Sequence, residues 1–244
     1  VSMLKFIPLG IIRGALKSEV IKASGDGSTW IIGTDSAPYL RVGNNWVKKK
    51  GCIKDISVDP KGSPWAIGCD KQPYQWDGSN WIARGGLALD IGVGADGSVW
   101  IIGTGKAPYH WNGSHWIRKK GCIERLDVDP KGRPWAIGCD KQPYQWDGSS
   151  WIARGGAGLD IGVGADGSVW IIGTGKAPYH WNGSHWIRKK GCITRLDVDS
   201  QGLPGPSAAT SSPTSGLVQA GSLVAARAWI SGLGANPRVL RSKD

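Results

Sequence analysis

The clearest hydrophobic pattern in the chain begins at Leu89. Leu89, Ile91 and Val93 alternate with polar or glycine positions, which is the period of two expected of a β-strand. Residues 95–98, Ala-Asp-Gly-Ser, interrupt this pattern as a turn. Residues 99–102 then form an unbroken apolar run, which favours a strand covered on both faces. The pattern therefore predicts two adjoining strands, of which the second is internal.

A hairpin is predicted next, because the dipeptide Asn112-Gly113 is the strongest short hairpin signal that a sequence offers. A two-residue turn there sets the strand register, with the pairs Trp111–Ser114, His110–His115 and Tyr109–Trp116. The tyrosine and both tryptophans then share one face, and the two histidines oppose each other on the other face. A fourth strand is expected from Trp116 to Lys119.

This four-stranded unit is used five times. Residues 159–193 repeat residues 89–123 letter for letter. Tryptophans recur every 35 residues, which is the signature of a repeat architecture, at Trp30, Trp65, Trp100, Trp135 and Trp170. The units alternate between one type that ends in Lys-Lys-Gly-Cys and one that ends in Ala-Arg-Gly-Gly. The duplicated segment is therefore a pair of units, 70 residues long.

Four short strands cannot bury their own faces, so the units must stack on one another. Radial stacking of such sheets predicts an all-β fold, a β-propeller of five complete four-stranded blades plus a remnant sixth, over residues 20–199.

Residues 1–19 form an N-terminal segment, and residues 11–17 are expected to supply a strand that closes the sixth blade. Residues 200–244 are rich in Gly, Ser, Ala and Pro, which predicts a disordered tail; a short helix over residues 218–231 is the alternative.

Two motifs recur in phase along residues 11–199: DGxVWxIG, as at residues 96–103, and PYxWxGxxW, as at residues 108–116. In these motifs the chain resembles the tectonin β-propeller repeat. The resemblance implies carbohydrate binding, because members of that family are usually six-bladed lectins. It transfers no catalytic residue, and the chain departs from the family pattern in having five full repeats.

Positive charge is concentrated in tripeptides near the blade ends. The formal net charge is +11, and one structural position on alternate blades carries Lys48, Lys49, Lys50, Arg118, Lys119, Lys120, Arg188, Lys189 and Lys190. Radial repetition predicts a partial ring of anion-binding sites suited to anionic glycoconjugates or an acidic membrane. The alternative is that these cations only discourage pairing at outer strands. Nucleic acid is not an expected partner, because the interleaved aromatic residues are needed for the core.

The hairpin tips are the candidate glycan-binding positions, because they place amide, carboxylate or imidazole groups beside tryptophan. The candidates are Asp77, Asn80, Asn112, His115, Asp147, Asn182 and His185. Turn chemistry alone would also select several of these residues, and that alternative stays open. Asn112 and Asn182 also begin Asn-Gly-Ser glycosylation sequons, which are usable only in a secretory compartment.

The five cysteines predict two disulfides and one single thiol. Cys52 and Cys69 are 17 residues apart, as are Cys122 and Cys139, and both pairs flank an Asp-Pro-Lys-Gly turn. Folding each hairpin about that turn brings its cysteines opposite each other, within disulfide reach. Cys192 is left without a partner. Disulfides would place the domain at the cell surface or outside the cell; buried free thiols in a cytoplasmic protein are the alternative.

No catalytic, cofactor or metal motif is evident, since the chain has no nucleophile elbow, phosphate loop or HExxH sequence. No signal peptide or transmembrane helix is predicted either. We therefore predict a non-enzymatic, multivalent lectin-like propeller that takes no cofactor. The alternative is an intracellular propeller that scaffolds proteins or docks on acidic membranes.

Overall fold

The computed structural model describes residues 11–12, 18–23, 28–59, 62–198 and 202–206, and every regular element among them is a β-strand. Strand β1 is Ile11–Ile12. The first blade comprises β2 Ser18–Ala23, β3 Thr29–Gly33, β4 Pro38–Val42 and β5 Asn45–Lys48. The second comprises β6 Ile53–Val58, β7 Pro64–Gly68, β8 Pro73–Trp76 and β9 Trp81–Ala83.

Three further sheets follow along the chain. The third blade comprises β10 Ala88–Val93, β11 Val99–Gly103, β12 Pro108–Trp111 and β13 Trp116–Arg118. The fourth comprises β14 Ile123–Val128, β15 Pro134–Gly138, β16 Pro143–Trp146 and β17 Trp151–Ala153. The fifth comprises β18 Gly158–Val163, β19 Val169–Gly173, β20 Pro178–Trp181 and β21 Trp186–Arg188. Strands β22 Leu196–Val198 and β23 Pro204–Pro206 form a two-stranded remnant.

This series of sheets confirms the predicted β-propeller. Each blade is a four-stranded antiparallel meander in chain order, and its first strand contacts the first strand of the next blade. The first strands are thus the inner strands, and the fourth strands lie outermost. The remnant of the sixth blade continues past residue 199, because β22 pairs with β23 in the register Leu196–Pro206 to Val198–Pro204.

The N-terminal strand lies in a different place from the one that the sequence predicts. It pairs with the outer strand of the first blade, with Ile11 opposite Val47 and Ile12 opposite Trp46, and so extends that blade to five strands. An exposed outer strand offers unpaired backbone groups to any nearby segment. The rest of the predicted tail, including residues 218–231, lies outside the described residues.

The second strand of each blade is internal, as predicted. In β11 all five residues are buried, and the equivalent strands of blades two, four and five have the same pattern. The inner strand differs from the prediction at one position. A register shift between Ala88 and Asp90 turns Leu89 outward, where it is 43% exposed, while Ile91 and Val93 are buried. This bulge recurs in every complete blade, so it belongs to the repeat.

The hairpin register was predicted wrongly by two residues. Trp111 lies opposite Trp116, and His110 lies opposite Ile117, so the turn spans four residues and His115 belongs to the turn. The predicted opposition of His110 and His115 is therefore incorrect. A slip of two residues preserves the faces of a strand, and the tyrosine and both tryptophans still share one face.

Tryptophan clusters hold neighbouring blades together. Trp65 of blade two contacts Trp111 and Trp116 of blade three, with ring centroids 5.7 and 6.0 Å apart in edge-to-face geometry. The same arrangement recurs at the other boundaries between complete blades, as Trp30 with Trp76 and Trp81, Trp100 with Trp146 and Trp151, and Trp135 with Trp181 and Trp186. The core therefore lies between blades, which is why no blade is complete without its neighbour.

Hydrogen bonds reinforce these boundaries at the inner strands. The backbone N–H of Leu126 donates to Asp90 Oδ2 across the boundary at 2.9 Å, and that of Leu196 donates to Asp160 Oδ2 at 2.9 Å. The N–H of Ile123 also donates to the carbonyl of Lys106 at 2.8 Å. Lys106 adopts a φ of 60°, in the left-handed region, which directs this turn towards the next blade.

The two predicted disulfides are present. Cys52 bonds to Cys69 and Cys122 bonds to Cys139, with Cα atoms 5.4 and 5.5 Å apart, and Cys192 is an exposed free thiol. Each disulfide ties the loop that leaves one blade to the turn after the second strand of the next. Within the described part of the chain, no helix is long and apolar enough to cross a membrane.

Candidate functional site

The boundaries between complete blades form two kinds of surface groove, which alternate along the chain. In a lysine groove, the basic tripeptide of one blade faces the hairpin tip of the next. The two lysine grooves join residues 48–50 to the tip 77–80, and residues 118–120 to the tip 147–150. In an arginine groove, the end of an even-numbered blade faces the tip of an odd-numbered one. In the two arginine grooves, Arg84 lies over Trp111, which precedes the tip 112–115, and Arg154 lies over Trp181, which precedes the tip 182–185.

The lysine groove between blades three and four is an open depression of about 470 Å³. It is lined by Arg118, Lys119, Lys120, Trp146, Gly148, Ser149 and Ser150. Lys119 is half-buried, with its Nζ 5.9 Å from the centre of the Trp146 ring. The indole N–H of Trp151 donates to the carbonyl of Lys120 at 2.9 Å. Both contacts fix the tripeptide relative to the neighbouring blade.

The lysine groove between blades one and two repeats the packing of lysine on tryptophan, but the buried indole N–H of Trp81 lacks the hydrogen bond that Trp151 makes in the other groove. Lys49 is half-buried, with its Nζ 5.7 Å from the centre of the Trp76 ring. Lys48 differs, because it forms an ion pair with Asp35 at 2.7 Å. This hydrogen bond from Lys48 holds the pKa of the Asp35 carboxyl down at about 2. Lys48 is therefore neutralised within its own blade, and Lys49 and Lys50 carry the charge of this groove.

The hairpin tips use the predicted glycan-binding residues to build the turn itself. Asp147 Oδ1 accepts hydrogen bonds from the backbone N–H groups of Ser149 and Ser150, at 2.8 and 2.7 Å. Asn112 Oδ1 accepts the equivalent bonds from Ser114 and His115, and Asp77 and Asn182 do the same in their blades. These bonds close the four-residue turns that the two-residue prediction missed, and they lower the pKa of the Asp77 and Asp147 carboxyls.

The structure divides the predicted glycan-binding residues between the two kinds of groove. Asp77, Asn80 and Asp147 lie in the lysine grooves, whereas Asn112, His115, Asn182 and His185 lie in the arginine grooves. All seven residues are exposed. The histidines of the tips make hydrogen bonds within their turns, as between Ser114 Oγ and His115 Nδ1 at 2.9 Å. The other two histidines, His110 and His180, pack on Trp100 and Trp170, and burial lowers the pKa of both imidazoles.

In the arginine grooves, the cation is held by its own blade. The Arg84 guanidinium donates to Gln75 Oε1 from Nε and Nη2, at 3.1 and 2.6 Å, and lies 5.8 Å from the centre of the Trp111 ring. Arg154 donates to Gln145 Oε1 at 2.6 Å and lies 5.9 Å from the centres of both Trp135 and Trp181. The indole N–H of Trp116 donates to the carbonyls of residues 84 and 85. These arginines therefore fasten one blade to the next.

Among the described residues, the third basic tripeptide is followed only by the two-stranded remnant and not by a complete blade. Residues 159–193 repeat residues 89–123, so Arg188, Lys189 and Lys190 have the same local sequence as the tripeptide of blade three. The positions that would hold the next indoles, 70 residues beyond Trp146 and Trp151, are glycines. Lys189 is exposed, whereas Lys119 is half-buried. The tripeptide of blade five thus has the charge of a lysine groove, but no tryptophan of the described chain opposes it.

Two carboxyl groups with raised pKa values, Asp90 and Asp160, lie on the inner strands of blades three and five. Burial and the neighbouring charge of Asp55 raise the pKa of the Asp90 carboxyl well above its usual value. Burial also raises the pKa of Asp160, whose Oδ1 lies 3.7 Å from Arg125 Nε. The sequence did not lead us to predict these two carboxyls or the Arg84–Gln75 contact. The carboxyls could have been recognised as isolated polar residues in an apolar strand, and the arginine contact from the Ala-Arg-Gly-Gly ending of alternate blades.

A second, smaller depression, of about 330 Å³, lies beside the first disulfide. Cys52, Cys69, Tyr74 and Trp81 contribute to its lining. The Tyr74 hydroxyl donates to Asp70 Oδ2 at 2.7 Å, and this bond lowers the pKa of the Asp70 carboxyl. The polar groups here are occupied by each other, so the depression adds little to the chemistry of the lysine groove.

Comparison with known proteins supports the fold alone. No protein-family model and no curated protein sequence matches the chain. Among solved structures, YCF48 bound to a D1 peptide is similar, with a TM-score of 0.54, 18% identity, and coverage of 71% of this chain and 67% of that chain. A catalytically inactive virginiamycin B lyase from Staphylococcus aureus, solved with quinupristin, has a TM-score of 0.57, 11% identity and 75% coverage of both chains. Both are β-propeller proteins.

Proposed function

We propose that this β-propeller is a multivalent, lectin-like protein that binds glycans in the grooves between its blades. The observation that carries the proposal is the repetition of one arrangement, in which a hairpin tip with exposed polar groups lies beside half-buried tryptophan at each boundary between complete blades. Sugars are bound by aromatic faces that stack on their C–H groups and by polar groups that bond to their hydroxyls. Repetition of weak sites on one rigid body raises avidity without any new contact.

Two further features support this function. The tectonin-like motifs lie at the turns and strands that form the grooves, and proteins with that repeat are usually lectins. The two disulfides favour an oxidising environment, so we place the protein at the cell surface or outside the cell. In this proposal the protein is a binding module without catalytic activity.

The second candidate is a propeller scaffold that binds a protein segment or docks on an acidic membrane. One observation favours it: the similar propeller YCF48 was solved with a bound D1 peptide. The exposed cations at the blade ends suit an acidic partner equally well.

A glycan array probed with the full chain, at low and at high salt, separates the two candidates. The lectin proposal expects a defined set of glycans to bind and part of that binding to survive high salt, because stacking on tryptophan is not screened. A blank array, together with binding to phosphatidylserine vesicles that high salt abolishes, would refute the lectin proposal and favour docking.

A further inference from the structure

We propose that the two lysine grooves are sites for sulfate or phosphate ester groups carried on a glycan, and that the arginine grooves and the tripeptide of blade five are not. This inference rests on the proposed function, since it names the class of glycan. The chain would then bind an acidic glycan through two similar sites, one at the boundary of blades one and two and the other at the boundary of blades three and four.

The cations of the lysine grooves are available to a ligand. Arg118, Lys119 and Lys120 form no ion pair with any residue that the structure describes, and the same is true of Lys49 and Lys50. By contrast, Lys106 and Lys141, on the turns between second and third strands, both pair with Glu124. An unpaired cation on a protein surface attracts an oxyanion without first having to release a carboxylate.

The grooves also orient these cations. Packing on Trp146 restricts the Lys119 side chain, and the bond from Trp151 holds the backbone carbonyl of Lys120. A side chain that is already restricted loses less conformational entropy when it binds an anion. Trp146 is only 7% exposed, so its role in this inference is to hold the lysine and not to stack on the sugar.

An aspartate begins the hairpin tip at each lysine groove, and it favours a particular position for the anion. The Asp147 carboxylate caps its own turn through Oδ1, and Asp77 does so in the other groove. An oxyanion is therefore expected to lie towards Lys119 and Lys120, away from the first residue of the tip. The sugar hydroxyls would lie towards the tip, where Asp147 can accept their hydrogen bonds.

The other cationic positions lack one part of this arrangement. Arg84 and Arg154 donate to glutamine and lie against tryptophan, so binding an oxyanion would disrupt a boundary between blades. Lys189 and Lys190 have the charge but face no tryptophan of a following blade among the described residues. The chain thereby contains its own control, because blades three and five have the same sequence.

Calorimetric titration of the full chain with a sulfated hexasaccharide, and with the same hexasaccharide after desulfation, tests the inference. The native chain is expected to show two sulfate-dependent sites. The variant Lys119→Gln/Lys120→Gln should keep one site, and adding Lys49→Gln/Lys50→Gln should remove both. The matched control Lys189→Gln/Lys190→Gln removes the same charge and should keep both sites. On a densely sulfated surface, loss of one site should weaken apparent affinity by about 10²-fold, since bivalent attachment is lost.

The outcomes separate this inference from the proposed function. Equal weakening by the Lys119/Lys120 and Lys189/Lys190 variants would show that only net charge matters and would overturn the lysine grooves as sites. Equal binding of the sulfated and desulfated hexasaccharides would overturn the inference and leave the lectin function standing. Binding to phosphatidylserine vesicles but to neither hexasaccharide would overturn the inference, and only a blank glycan array as well would refute the lectin function. Lys119→Arg/Lys120→Arg should retain binding, and thermal unfolding of each variant shows whether it folds.

Discussion

Removing one disulfide should destabilise the propeller by about 3 kcal/mol. The proposed variant is Cys52→Ser/Cys69→Ser, which replaces two sulfur atoms at an exposed and a half-buried position. The closed loop spans 17 residues. Cross-linking a loop of that length lowers the entropy of the unfolded chain by roughly 10 cal/mol/K, which is about 3 kcal/mol at room temperature.

The second disulfide provides an internal test of this magnitude. Cys122 and Cys139 close a loop of the same separation, 17 residues, in blade four. Because loop length sets the entropic term, Cys122→Ser/Cys139→Ser should cost the same to within about 0.5 kcal/mol. Blade three lies between the two loops along the chain, so the losses should add, to about 6 kcal/mol in the quadruple variant.

Urea unfolding followed by tryptophan fluorescence gives the free energies, and thiol counting supports the assignment. The native chain should expose a single alkylatable thiol, Cys192, when it is unfolded without reductant, and five thiols after reduction. A decrease in unfolding free energy of less than about 1 kcal/mol in either double variant would refute this prediction, since the disulfides would then not restrict the conformations of the unfolded chain. Five reactive thiols in freshly prepared, unreduced protein would refute the disulfides themselves.

Two further predictions concern the inner strands. Gly92→Ala should destabilise by about 1–3 kcal/mol in urea unfolding, because the new Cβ would lie 2.7 Å from Leu126 Cδ1 and 2.9 Å from Val128 Cγ2 of the next blade. Gly105→Ala, whose Cβ meets nothing within 4 Å, should be close to neutral; equal losses would refute close packing at this boundary. Asp90→Asn should gain stability relative to the native protein as pH rises from about 4 to neutral, since the raised pKa of Asp90 means that the native protein loses stability as pH rises from the usual value of 3.8 through the folded-state pKa. The amide keeps only one of the two oxygens that accept from the N–H groups of Ile91 and Leu126, which adds a pH-independent cost; a difference in unfolding free energy that does not change with pH would contradict the prediction.

Much of the candidate site followed from the sequence because each residue's position in the repeat also fixes its neighbours. The basic tripeptides and the hairpin tips were both recognised, and the cysteine spacing predicted the correct disulfides. The sequence did not predict that a basic tripeptide and a hairpin tip lie in the same groove. Lys119 and Ser150 are about one blade apart in sequence, and only the stacking of blade four on blade three brings them together. The hairpin register also failed, because Asn112 Oδ1 stabilises a four-residue turn that the Asn-Gly dipeptide alone does not distinguish.

The sequence by itself determined the blade, since alternation, turn residues and a 35-residue period are local properties that any copy carries. Tertiary structure decided which groups surround each copy of the basic tripeptide. The identical tripeptides at residues 118–120 and 188–190 have different surroundings because Trp146 of the next blade packs on the first, whereas no described tryptophan packs on the second. The N-terminal strand likewise pairs with β5, not with the sixth blade, because pairing depends on which strand edge is open in the folded chain. Contacts within one repeat specify the fold of a blade, whereas a groove forms only where two blades pack against each other.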